Sequence, residues 1–180
     1  KKPMLVTMAA GLEIRKIEEF AGCRLPVIRI MPNVPVAIGE GVTLYDYSEN
    51  VSPEAVSQFC DALAGTGLVS YLQESLIDAG SALSGSGPAF ASMFIEALAD
   101  GALMCGLPRK LALEYACQTL IGTSKMLLET GMHPGQMKDS ICSPGGSTIA
   151  GVAALEQGAF RASVIAAVAA AYQRTQELGK

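Results

Sequence analysis

The chain has 180 residues, half of them hydrophobic, with 17 acidic and 13 basic side chains and a net charge of −4. That length and apolar content suffice for a sizeable buried core, in one large or two small domains, and exclude a disordered chain. Nucleic acid is argued against as a partner by the acidic balance and by the lack of any basic cluster interleaved with aromatics.

The longest apolar stretches are broken by Gly, Ser or a charge before the ~20 residues a bilayer span requires, so no transmembrane segment is expected. At the start, Lys1-Lys2-Pro3-Met4-Leu5-Val6 is too short for a secretory signal and is followed by Glu13, Arg15 and Lys16, so it reads as a buried strand. Val27–Met31 and Val42–Tyr45 are further strand candidates. Between them Pro32, Pro35, Gly39 and Gly41 predict a rigid extended loop at Pro32-Asn33-Val34-Pro35. Ser52 as N-cap and Pro53 at the first helical position open a helix with Val56, Phe59 and Leu63 on one face, closed by Gly65 and Gly67. Leu68–Leu72 follows as a strand, giving a β-α-β end to an α/β domain over residues 1–73.

From Glu74 onward Ala, Leu and Met dominate, and residues 74–180 are expected to be all helical. Helices are predicted at 74–82, 87–105, 108–130, 134–141, 147–156 and 158–178. The stretch Pro88–Cys105 is expected to be buried nearly all round. With Val164–Ala171, it leaves more apolar helix surface than a domain of this size can cover, so a helical homodimer interface is predicted.

Few side chains offer acid, base or metal chemistry. His133 stands alone and reads as a solvated loop residue, and Glu18-Glu19 as a solvated helix face. Cys23, Cys60, Cys105, Cys117 and Cys142 lack zinc or disulfide spacings and are expected mostly in apolar surroundings, which suits a reduced cytoplasmic protein without a metal.

The richest segment is Ser140–Gly151, a polar, glycine-bearing loop running into a helix, where unpaired N–H groups could hold a carboxylate or phosphate. Plain capping by Ser147 or Thr148 is the alternative at this point. Ser84-Gly85-Ser86-Gly87-Pro88 also opens a helix. Met31-Pro32-Asn33-Val34-Pro35 lies at the C-terminal end of a strand, where ligands gather in wound sheets.

These three segments, preceded by Val6–Leu12, resemble the pyrroline-5-carboxylate reductase family. "MPNVP" is similar to its M-P-N-T-P, "SGSGPAF" to its S-G-S-G-P-A-[YF], and "SPGGSTIAGVAALE" to its most specific signature. The resemblance implies a Rossmann-type NADPH or NADH domain followed by an all-α dimerisation domain, often assembled into larger rings, with the active site between the two. It implies that Thr148 hydrogen-bonds the ring nitrogen of the imine, that Ser143 and the N–H groups of Gly146, Ser147 and Thr148 hold the substrate carboxylate, and that Thr7, Ala9, Met31, Asn33, Pro88 and Ser140 line the nicotinamide side.

The sequence departs from the family in three ways. It carries no G-x-G-x-x-G turn, opening instead at what reads as the fourth strand of the sheet, without the adenosine-binding residues or a family lysine. Val34 replaces the usual Thr, and Gly131 stands where some relatives have Glu. A hydroxy-acid dehydrogenase of similar layout would need a catalytic lysine, for which only Lys125 and Lys138 are near. A non-catalytic oligomerisation module would keep the helices without the chemistry.

Overall fold

The computed structural model describes residues 3–178; Lys1 and Lys2 of the expected first strand, and Gly179 and Lys180, lie outside the described residues. Four strands form one mixed sheet in the order β1-β2-β3-β4. β1 (Leu5–Thr7) runs parallel to β2 (Val27–Pro32), β2 antiparallel to β3 (Gly41–Tyr47), and β3 parallel to β4 (Gly67–Tyr71). Both parallel pairs need a crossover, supplied by α1 (Ile14–Ala21) and α2 (Pro53–Leu63).

Side-chain alternation divides β2 between two cores. Ile28 and Ile30 join Tyr45 and Val51 beneath Ala55, Val56 and Phe59 of α2. Val27 packs instead with Ile14 and Ile17 of α1. Arg29 shares the face of Val27 and meets α3 (Glu74–Ser84), so helices cover both faces of the sheet.

Ser52 caps α2 as expected, its Oγ accepting the Ala55 N–H at 3.2 Å with Pro53 in the first turn. Two local expectations change. The first strand is not buried: Met4, Leu5 and Val6 are each about two-fifths exposed, because β1 has β2 as its one partner within the described sheet. The Pro32–Pro35 loop is also more regular than expected. Pro32 closes β2 and Val34–Ile38 forms a 3-10 turn, in which Pro35 sits early enough that its missing N–H costs nothing and Gly39 ends the turn with φ 77°.

The remaining helices are α4 (Gly87–Met104), α5 (Arg109–Thr130), α6 (Pro134–Ile141), α7 (Ser147–Gln157) and α8 (Phe160–Leu178). By contacts the chain forms two compact units, one reaching Pro88 and resuming at Ala166, the other running Ala89–Ile165. By these contacts α3, with the buried Ile77 and Ala82, goes with the sheet unit.

Within the second unit Phe94 and Phe160 pack with their rings tilted and centroids 5.4 Å apart, and Ala99, Ala112, Ala116 and Met137 are buried. The expectation that Pro88–Cys105 is buried nearly all round fails within a single chain: Ala99 alone is buried along α4, while Met93 and Met104 are 70% and 89% exposed. Leu128 and Ile165 are exposed too, and five helices this rich in Ala cannot enclose one another's apolar faces. Cys23, Cys105 and Cys117 are likewise exposed rather than embedded, and all five thiols are free. No single described helix is long and apolar enough to cross a membrane, and no group of metal-ligating side chains occurs among the described residues.

Candidate functional site

The strongest candidate lies in the second unit, where α6 hands over to α7. Ser140 is in the last turn of α6, its Oγ donating to the Met137 carbonyl at 2.7 Å. The chain then turns through Ser143-Pro144-Gly145-Gly146, closed by the Gly146 N–H donating to the Ser143 carbonyl at 3.0 Å. Pro144 and Gly145 occupy the two central positions, and Gly145 has φ 69°, as a type II turn requires of its third residue. Gly146 is then the N-cap of α7 and, unlike Ser52 at α2, provides no capping side chain.

The first-turn N–H groups of Ser147, Thr148 and Ile149 therefore have neither an intrahelical carbonyl nor a side-chain cap. The capping alternative is not realised: Ser147 and Thr148 lie inside the helix rather than at its cap. Gly146 is required for a second reason. A Cβ there would stand 2.3 Å from Ser143 Oγ, so the absence of a side chain brings that hydroxyl against the helix start. Ser143, Ser147 and Thr148 are exposed. Partial positive charge at a helix N-terminus, beside three hydroxyls, suits a carboxylate.

Lys138, on α6, is held above the usual lysine range by its hydrogen bond to Asp139. Lys125 lies on α5 as an exposed helix residue. His133 is exposed in the connection before α6, as expected, and there also serves as the helix N-cap, its Nδ1 accepting the Gly135 N–H at 3.1 Å. Gly131 is the left-handed C-cap of α5, φ 64°, where a glutamate would be strained.

Thr7, Ala9, Met31, Asn33 and Pro88 belong to the first unit. Because β1 and β2 are parallel, Thr7–Ala9 and Met31–Asn33 emerge at the same end of the sheet. Thr7 Oγ1 accepts the Ala9 N–H at 3.3 Å. Asn33 is committed at both ends of its amide, Nδ2 donating to the Ser84 carbonyl at 2.9 Å and Oδ1 accepting the Val42 N–H at 2.8 Å. The MPNVP and SGSGP segments, 51 residues apart, are thereby joined. Ser140, expected with this group, is carried by the second unit.

Two clefts of the first unit, about 470 and 300 Å³, contain none of the expected site residues. The smaller is built around Arg29, Glu74 and Asp78, a charged group that the sequence reading passed over. Its one signal was an arginine inside the apolar run Val27–Met31, since a charge is buried there only when paired. Arg29 is 1% exposed, and its Nη2 lies 2.7 Å from Asp78 Oδ1.

The pyrroline-5-carboxylate reductase dimerisation family matches residues 74–178. A pyrroline-5-carboxylate reductase of Synechocystis is 43% identical over 99% of this chain and 67% of its own length. One of Arabidopsis thaliana is 43% identical over the whole chain and 65% of its own length. A Plasmodium falciparum pyrroline carboxylate reductase, solved with NADP bound, superposes with a TM-score of 0.93 at 34% identity, covering 98% of this chain and 71% of that one. A Streptococcus pyogenes 1-pyrroline-5-carboxylate reductase gives the same score and identity over 98% of this chain and 68% of its own. The chain thus spans about two thirds of the length of the relatives it matches, and with its helical half covered by the family pattern it belongs to the pyrroline-5-carboxylate reductase family.

Proposed function

We propose that this chain provides the substrate pocket and the dimer interface of an enzyme that reduces 1-pyrroline-5-carboxylate to L-proline with NADPH or NADH. The observation that carries the reading is the uncapped start of α7, presented by a turn that places Ser143 Oγ against Gly146. A substrate carboxylate accepts hydrogen bonds from Ser143 and from the N–H groups of Ser147 and Thr148, but not from the expected Gly146 N–H, which is committed to the Ser143 carbonyl at 3.0 Å. The Thr148 hydroxyl donates to the ring nitrogen, holding a proton where charge develops as the C=N bond is reduced. None of this needs a strongly shifted pKa, which suits a site built from hydroxyls and backbone.

The fit of a nicotinamide cofactor is partial. Thr7, Ala9, Met31 and Asn33 lie at the strand ends where such a ring binds, and Pro88 follows the segment joined to Asn33, whereas the chain has no G-x-G-x-x-G turn for the pyrophosphate. When bound, the cofactor supplies the hydride. The chain's contribution is orientation. The exposed apolar faces carrying Met93, Met104, Leu128 and Ile165 support a homodimer through the helices, with larger rings as a further assembly.

The test is pyrroline-5-carboxylate-dependent oxidation of NADPH and NADH, measured on this chain and on the chain joined to the part of the Synechocystis relative that it does not cover. Turnover in the joined protein, lost in Thr148→Ala while sedimentation still shows a dimer, is expected. A folded, dimeric, inactive joined protein would overturn the reading.

A further inference from the structure

Two sets of polar contacts fasten α3 to the sheet, one at each end of the helix. At its start, the Arg29 guanidinium reaches Glu74 Oε1 at 3.4 Å and Asp78 Oδ1 at 2.7 Å, residues four apart and so on one helical face. Both carboxylates have further partners: Glu74 Oε1 accepts the Ile14 N–H at 2.8 Å, and Asp78 Oδ2 accepts from Gln176 Nε2 at 2.9 Å. At the other end Asn33, four residues beyond Arg29, holds the carbonyl of Ser84, the last residue of α3. A helix of about 16 Å is therefore pinned at both ends to β2 and the loop that leaves it.

Stability alone does not account for this arrangement. A buried ion pair is an expensive way to join a helix to a sheet, and well-packed apolar side chains would hold as well. Here the expense is visible, for Arg29 Nε is buried with no hydrogen-bond partner. What a planar guanidinium and a doubly bonded amide add is a fixed orientation.

We propose that Arg29 and Asn33 are positioning residues: they fix α3, and through its end the Ser84–Pro88 segment, against Met31–Asn33, and so set the nicotinamide-facing surface of the first unit. Asn33 on this account acts through Ser84 rather than by touching the cofactor. The proposal rests on the reductase reading, so it is tested in the joined protein described above.

Asn33→Asp keeps the acceptor for the Val42 N–H and replaces the donor to Ser84 by a second oxygen. Turnover is expected to fall by about 100-fold, the scale of a small misplacement of reacting groups. KM for pyrroline-5-carboxylate should move by less than about threefold, since the residues proposed to hold the carboxylate are elsewhere in the chain. The apolar replacement Arg29→Met with Asp78→Leu should keep the melting temperature and still lose turnover, with Arg29→Lys recovering only part of it. Active parent and fully active, folded variants overturn the clamp while leaving the reductase reading intact. A parallel fall of turnover, affinity and melting temperature in Asn33→Asp also overturns it, by marking a structural role only. An inactive parent overturns both.

Discussion

Replacing Gly146 by alanine separates the architecture of the α6–α7 turn from its chemistry. The new Cβ would lie 2.3 Å from Ser143 Oγ and 3.2 Å from the Ser143 carbonyl oxygen, where ordinary contact begins at 3.4 Å. The hydroxyl therefore has to retreat by about 1 Å, which a serine achieves by changing χ1 rotamer at little cost. Alanine is also a poorer N-cap than glycine, and together these changes should destabilise the fold by about 1 kcal/mol. The displaced hydroxyl, however, no longer points at a ligand on the helix start. A hydrogen bond to a carboxylate is worth about 1.5–3 kcal/mol, so affinity for L-proline should fall about 10- to 100-fold. The assay is an NMR titration of this chain with L-proline, following the amides of Ser147, Thr148 and Ile149, beside a thermal melt by circular dichroism. A folded Gly146→Ala protein that binds proline as the parent does would refute the assignment of Ser143 and the α7 N-terminus to the carboxylate.

Asp78→Ala strips the nearest counter-charge from an arginine that is 1% exposed, and denaturant unfolding should show a loss of about 3 kcal/mol, tempered by the remaining Glu74. Gly80 of α3 packs so closely that a Cβ would sit 2.6 Å from Leu44 Cδ1, so Gly80→Ala should cost about 1–3 kcal/mol by overpacking, with Leu44→Val restoring part of it in the same unfolding assay. The Tyr45 hydroxyl is pushed up to about 12 by its hydrogen bond with Cys60 and by burial, with the neighbouring Cys60, Tyr47 and Tyr71 adding to the effect. Its folded-state pKa exceeds the ordinary value of 10.0, so the stability it contributes is intact below pH 10 and lost as the pH rises towards 12. Tyrosinate absorbance should accordingly show a late-titrating phenol that Cys60→Ala moves to lower pH.

The helical half was legible because its boundaries are written in local chemistry. Pro134 opens α6, Gly131 ends α5, and the Ser143–Gly146 turn precedes α7, each within a few residues of the feature that enforces it. Thr148 and its neighbours could be picked out for the same reason, since a glycine-rich turn entering a helix is a short-range signal. What could not be read were pairings across the chain. The apolar run around Arg29 identifies a strand but not the two acids 45 and 49 residues away that make the charge tolerable. The bond from Asn33 to Ser84 was equally hidden, its two partners lying 51 residues apart. Exposure was misjudged where neighbours decide it, as in Leu5 and Val6 on a strand with one partner among the described residues and in the apolar faces of α4 and α5.

The return of the chain to its first unit at Ala166 has a consequence for biosynthesis. Asp78 meets Gln176 across 98 residues of sequence, and the intervening unit must be translated before that contact can close. During elongation the sheet unit waits with the Gln176 side of its Arg29 cluster uncovered while the intervening helices emerge, so that contact closes only after the second unit has been synthesised. A break in the chain between Ala166 and Gln176 would leave the whole second unit present and Asp78 Oδ2 without its Gln176 partner, so a lesion in α8 is felt on α3.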